Sequence, residues 1–353
     1  MEVMYATCEQ VARSLEILHT TQANDKIIAA IKAASRNAEE FLHRVFYPEL
    51  RTIRLDWPNA SSLPTWQVDL WDQEMISLTT VVSGGTTITD SCILRRADDL
   101  AKPPYGILEI DRTTNAAFSS GTSPQRSLVI TGLFGYSDTE TSLAGSALSG
   151  AINSSVATIT INPSSGTFTP EIGSLLLIDT ERLMVVNRAM ASTAITTTSA
   201  LLDIKNSVSF TTASSSSFAI GETILIDSER MRISDIAGTS IIVERASDGT
   251  VLAAHSSGST IYALRSFIVR RGVLGSTAAS HLDSASVYVH EWHPSLNALV
   301  RGEAIVMLAQ ESAAFARTIG SGAGTREAAG LGLDDLRERA WRTLGRKARS
   351  GAI

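Results

Sequence analysis

The chain has 353 residues, 44% of them hydrophobic, and a formal net charge of −6. Domains of about 100–200 residues make two domains the expectation, and so mild a charge argues against a nucleic-acid coat or a membrane-surface protein. No apolar run could span a bilayer, Met1-Glu2-Val3-Met4 does not open a signal peptide, and Cys8 and Cys92 form no paired framework, so a soluble, intracellular protein is expected.

Two helices open the chain. Thr7 and Gln10 are placed as a capping box, and Cys8, Val11, Leu15 and Leu18 share one helical face. Asn24 can cap a second helix, in which Ile27, Ile31, Ala34, Ala38, Phe41 and Val45 step by three or four. So regular a stripe predicts a packing seam against other helices. Pro48 ends it.

After Pro48 the period becomes two. Thr52–Trp57, Trp66–Leu70 and Ile76–Thr79 alternate, Gly84-Gly85 reads as a tight hairpin, and Ile107–Ile110 and Leu128–Thr131 add strands. Residues 50–136 are therefore expected to form an antiparallel sheet of short strands.

From about Ser137 to Val289 the chain is rich in Ser, Thr and Gly, and it repeats itself. Ile172-Gly173 leading to Leu177-Ile178-Asp179-Thr180-Glu181-Arg182 recurs forty-eight residues later as Ile220-Gly221 leading to Leu225-Ile226-Asp227-Ser228-Glu229-Arg230. Val243, His255 and Tyr262 then match Val269, His281 and Tyr288, with steps of twelve and seven in both. Two first halves are thus followed by two second halves. Nesting puts an outer unit over about 152–190 and 265–290 and an inner unit over about 200–263; exchange of second halves between the units is the alternative.

Helical periodicity returns after Pro294 with Leu296, Val300, Ala304, Met307, Leu308 and Phe315. Gly320–Gly324 reads as a flexible break. A last helix carries Leu336, Ala340 and Leu344, opens on Asp334-Asp335 and closes on Arg346, Lys347 and Arg349, which suits the helix dipole.

Walker A, GxSxG and HExxH sequences are absent. His290 and His293 could present two imidazoles to one ion from a helix, but they lie at a strand-to-helix junction and read as hinge residues. No metal or other cofactor is expected. His255 and His281 are expected to tie down their own loops. The repeated Asp-Thr/Ser-Glu-Arg is read as a hairpin turn with Glu and Arg on an exposed face. The basic end reads either as a solvated helix terminus or as a contact for DNA or an acidic ring. Trp341 reads as an anchor in a protein groove.

The order of elements carries a resemblance. The helix pair from Thr7 to Phe46, the run Leu50–Pro58, Ile76–Val81 before a Gly-Gly turn, Ile93–Arg96 and Leu128–Tyr136 resemble the head–tail connector (adaptor) proteins of long-tailed bacteriophages. The resemblance covers about 1–139 and 291–353; the stretch at 140–290 departs from it. The expected fold class is therefore α+β: a helical bundle packed with a small antiparallel sheet, discontinuous over 1–139 and 291–353, plus an inserted all-β module over 140–290 made of two nested repeat units.

The resemblance implies a non-enzymatic subunit that closes into a ring of about twelve copies. Such a ring sits in the virion neck between the portal protein and the tail terminator or stopper protein, extends the DNA channel, and passes double-stranded DNA without reading its sequence. It is assembled in the host cytoplasm without a membrane. The Ile27, Ile31, Ala34, Ala38, Phe41 and Val45 seam would serve ring packing. Arg337, Arg339, Trp341, Arg342, Leu344, Arg346, Lys347 and Arg349 would dock the portal, and the insert would face outward. Two other classes stand beside it: a tail or baseplate component whose β-modules bind a host surface, and a hydrolase centred on His290 and His293.

Overall fold

Thr7 begins the first helix as its residue type predicts: its amide donates to Gln10 Oε1 (3.2 Å) and its hydroxyl accepts from the Gln10 amide (3.3 Å). Helix α1 spans Cys8–Leu15 and α2 spans Thr21–Leu42, so Asn24 lies inside α2 and not at its cap. His43 adopts a left-handed φ of 52°, which ends α2 before Val45. Helix α3 (Pro294–Ser312) starts on a proline, whose missing N–H costs nothing there, and α4 covers Leu333–Leu344. The computed structural model describes residues 3–15, 21–57, 64–70, 72–96, 102–162, 170–312, 318–319, 326–327 and 332–346. Phe315, the Gly320–Gly324 break, Lys347 and Arg349 fall outside them.

Strands β1 (Glu49–Leu55), β2 (Gln67–Asp69), β3 (Met75–Ser83), β4 (Thr86–Thr87), β5 (Cys92–Arg95), β6 (Ile107–Ile110) and β7 (Leu128–Phe134) make two sheets, ordered β1-β7-β3-β4 and β2-β6-β5. All their pairings are antiparallel. Gly84 and Gly85, with φ of 56° and 89°, turn β3 into β4 in a conformation that disfavours side chains. Val68, Leu70, Val81, Leu108, Ile130 and Phe134 fill the space between the two sheets.

The remaining strands are β8 (Glu140–Leu148), β9 (Thr158–Asn162), β10 (Leu175–Ile178), β11 (Glu181–Thr196), β12 (Ser209–Thr211), β13 (Thr223–Ile226), β14 (Glu229–Ala237), β15 (Ser240–Glu244), β16 (Thr260–Arg270) and β17 (Ser286–His290). They form one ten-stranded sheet ordered β11-β10-β17-β8-β9-β16-β13-β14-β15-β12. Because β11 also pairs with β16, its first six strands close on themselves. The inner strands close likewise, through bridges at Thr196–Thr260 and Thr197–Thr212. Two small barrels thus share the β11–β16 ribbon, and closure removes the exposed edges that so many short strands would otherwise present. Each has its own core, one around Leu176, Val185 and Phe267, the other around Phe210, Ile224, Met231 and Ile261.

The fold class expected from the sequence is therefore corrected. Strands account for 37% of the described residues and helices for 22%, so the protein is mostly β and no helical bundle with a small sheet. The helical stripes are the stronger signal in the sequence because α2 repeats its pattern over 22 residues, whereas most strands here have five residues or fewer. The helices and the outer barrel also share one core: Ile172, Leu175, Met184, Val273 and Leu274 pack with Val11, Ile31, Leu299 and Leu344.

Candidate functional site

The repeated motif builds one buried ion cluster in each barrel. Asp227, with φ of 52°, turns β13 into β14 and places Glu229 inward, fully buried. Five donors converge on its carboxylate. Arg245 Nε and Nη2 lie at 2.7 and 2.8 Å, the Ala246 and Ala253 amides at 2.8 and 3.0 Å, and His255 Nε2 at 2.9 Å. His255 Nδ1 meets Asp227 Oδ2 at 2.7 Å. The outer barrel repeats this with Glu181, Arg271, the Gly272 and Ala279 amides, His281 and Asp179. Burial alone would raise the Glu181 and Glu229 carboxyls, but the arginine, histidine and amide donors outweigh it and hold both at about 2.

These contacts decide the pairing of the repeat halves: Glu181 closes with Arg271 and His281, and Glu229 with Arg245 and His255, so the inner unit is nested in the outer. His255 and His281 do tie down their loops, through main-chain bridges to Leu201 and Ile152 as well. The expectation that Glu181 and Glu229 face outward is corrected, since each is at the centre of a cluster. Arg245 and Arg271 went unread in the sequence, although they share the twenty-six-residue offset of Val243/Val269 and His255/His281.

A second site joins the outer barrel to α1. The Cys8 amide donates to Ile172 O (3.0 Å), the Ile172 amide donates to Glu9 Oε2 (2.9 Å), and Arg188 Nε meets Glu9 Oε1 (2.8 Å). Thr7 and Arg13 both bond Glu171. Burial, opposed by Arg188 and reinforced by Glu171, raises the Glu9 carboxyl to about 7.

The two junction histidines part company. His290 ends β17, buried, with its ring against Trp292 (4.4 Å) and Nδ1 without a hydrogen-bond partner. Burial, helped by Arg182, lowers it to about 3, so its ring is neutral. His293 accepts from the Ser295 amide at the start of α3 (3.2 Å). Both line an open cleft of about 230 Å³ with Phe46, Tyr136 and Pro294. Among the described residues no group of three or more His, Cys, Asp or Glu could hold a metal ion.

The helical seam splits. Ile27, Ile31, Ala34 and Ala38 are buried in the chain's own core. Phe41 (39% exposed) and Val45 (37%) lie at the surface, and Phe41 meets Trp341 (37%) at 5.6 Å, with the His43 ring 6.1 Å from the same indole. The basic tail is no free appendage. Ala340 and Leu344 are buried, Arg337 bonds Glu303 (3.0 Å), and Arg346 pairs with Asp72 and Glu74. Arg339 and Arg342 remain on the outer face, each beside an acid of its own helix. Among known protein families, curated proteins and solved structures, none matches this chain.

Proposed function

We propose that this chain is a structural, non-catalytic subunit that assembles into a closed ring at the junction of a phage head and tail. The observation that carries this reading is the exposed aromatic pair of Phe41 and Trp341, where α2 ends against α4, with Val45 also exposed just beyond α2. A ring is built from heterologous contacts, so each subunit must present a patch that fits a different patch on its neighbour. Exposed aromatic side chains beside cationic ones are the composition of such anchors. In this reading the outward Arg339 and Arg342 meet the portal, a stopper or terminator ring sits below, and DNA passes without sequence readout.

Sedimentation and electron microscopy of the purified chain, alone and mixed with portal rings, test it. Closed rings or ring-on-portal complexes are expected, weakened in a Phe41→Ser/Trp341→Ser variant. A chain that stays monomeric and ignores the portal would overturn the reading. Binding to host surfaces without portal binding would instead favour a tail or baseplate component.

A further inference from the structure

The nested repeat contains a docking turn twice, and only one copy is filled. In the outer barrel the turn Glu171–Ser174 is held by Ser174 N to Glu171 O (3.0 Å), Gly173 N to Val185 O (2.9 Å) and Val185 N to Ser174 O (3.0 Å). In the inner barrel Ala219–Glu222 is held by the corresponding bonds: Glu222 N to Ala219 O (3.2 Å), Gly221 N to Ile233 O (2.7 Å) and Ile233 N to Glu222 O (2.9 Å). Gly173 and Gly221 both take a left-handed φ, 100° and 86°. At the tip of the first turn Ile172 is 5% exposed, its amide and carbonyl occupied by Glu9 and Cys8. Ile220, at the tip of the second, is 65% exposed, and among the described residues its own amide and carbonyl have no partner.

The surroundings of the second turn have changed from apolar to charged. Met184, buried against α1 in the outer barrel, is replaced by Arg232, and Leu274 by Asp248. Arg232 is exposed, and its Nη2 lies 4.0 Å from where a Cβ on Gly221 would sit, so the guanidinium flanks the Ile220 tip. Neighbouring acids do not occupy it: Glu222 is held by Arg265 (3.1 Å) and Asp248 faces Arg230 (3.7 Å). Glu244 is its ladder partner on β15, and among the described residues Arg232 has no ion pair. A peptide N–H beside a guanidinium is the donor set that grips Glu9 in the outer barrel, and it calls for a carboxylate.

We infer that the Ala219–Glu222 turn with Arg232 is a second carboxylate seat, filled in the assembled protein by the acidic first turn of α4 from another copy. Glu9 sits in the first turn of α1, and Asp334 and Asp335 sit in the first turn of α4, with side chains 89% and 77% exposed. Their local partners, Arg337 and Arg339, stand 3.9 and 4.0 Å away, too far to hold them firmly. This deepens the proposed self-assembly by naming one contact within it.

Sedimentation velocity on the full chain tests the contact, alone and on portal rings, at two salt concentrations. Arg232→Glu and, separately, Asp334→Arg/Asp335→Arg should each weaken assembly about tenfold or more, and the combined charge swap should restore it. Ile220→Asp, which puts a carboxylate beside Arg232 within the same chain, should block assembly while leaving the fold intact, which also guards against misfolding of the α4 variant. Arg232→Glu or Ile220→Asp chains that assemble like wild type, or a swap that restores nothing, would overturn the seat while leaving the ring reading in place. A wild-type chain that never assembles would overturn both.

Discussion

Glu229 and Glu181 show how a carboxylate can be buried at a profit. Each is matched by one guanidinium, one imidazole and two amides, so that removal leaves an unpaired arginine inside the barrel. Glu229→Ala should cost about 3–5 kcal/mol, read by urea denaturation. Acid should act through the same groups. Their folded value of about 2 lies below the unfolded value of 4.5, so they stabilise the protein above about pH 4.5 and lose that effect as pH falls toward 2. Glu229→Gln should remove about half of this acid sensitivity. Glu9 has the opposite sign. Raised to about 7, it favours the folded state below pH 4.5 and loses that contribution as pH rises through 7. Thermal melts between pH 5 and 8 should slope downward in wild type and lie flatter in Glu9→Gln, whose amide oxygen can still accept from Ile172.

At the scale of elements, the inner barrel is the separable part. It hangs from the end of the β11–β16 ribbon at the Thr196–Thr260 pair and fills its own core. Replacing 197–259 with a two-residue Asn-Gly turn should leave a folded protein that has lost one calorimetric transition. The larger excision, of the whole inserted stretch 140–290, is a different matter. It would strip Ile172, Leu175, Met184, Val273 and Leu274 from the helical core, and an aggregating or molten product is now the expected outcome. Helix α4 is likewise part of the fold. Leu344→Ala should cost about 2–5 kcal/mol, measured by chemical denaturation, and truncation at 332 should cost more.

For the whole molecule, the clamp between α1 and the outer barrel makes the helices and that barrel one cooperative unit, with the inner barrel as a second. Differential scanning calorimetry should resolve the two, and Glu229→Ala should lower only the inner transition. Glu181→Ala should lower the larger one, because its cluster fixes the 272–280 loop whose Val273 and Leu274 pack against the helices. Two coincident shifts in both variants would show that the barrels melt together.

Features that depend on near neighbours were legible in the order of amino acids alone. The Thr7–Gln10 box, the Gly84-Gly85 hairpin, the inward stripe of α2 and the twofold repeat were legible because each is written within a few residues or as a copy. What those segments meet depends on how distant parts of the chain come together. Glu181 reads as a surface residue until Arg271, ninety positions away, is brought beside it. The nesting of the units, the closure of β11 on β16, and the contrast between the filled turn at Ile172 and the open one at Ile220 arise the same way. Burial is set by contacts between distant strands, and a local period records only which face a residue occupies, not what covers that face.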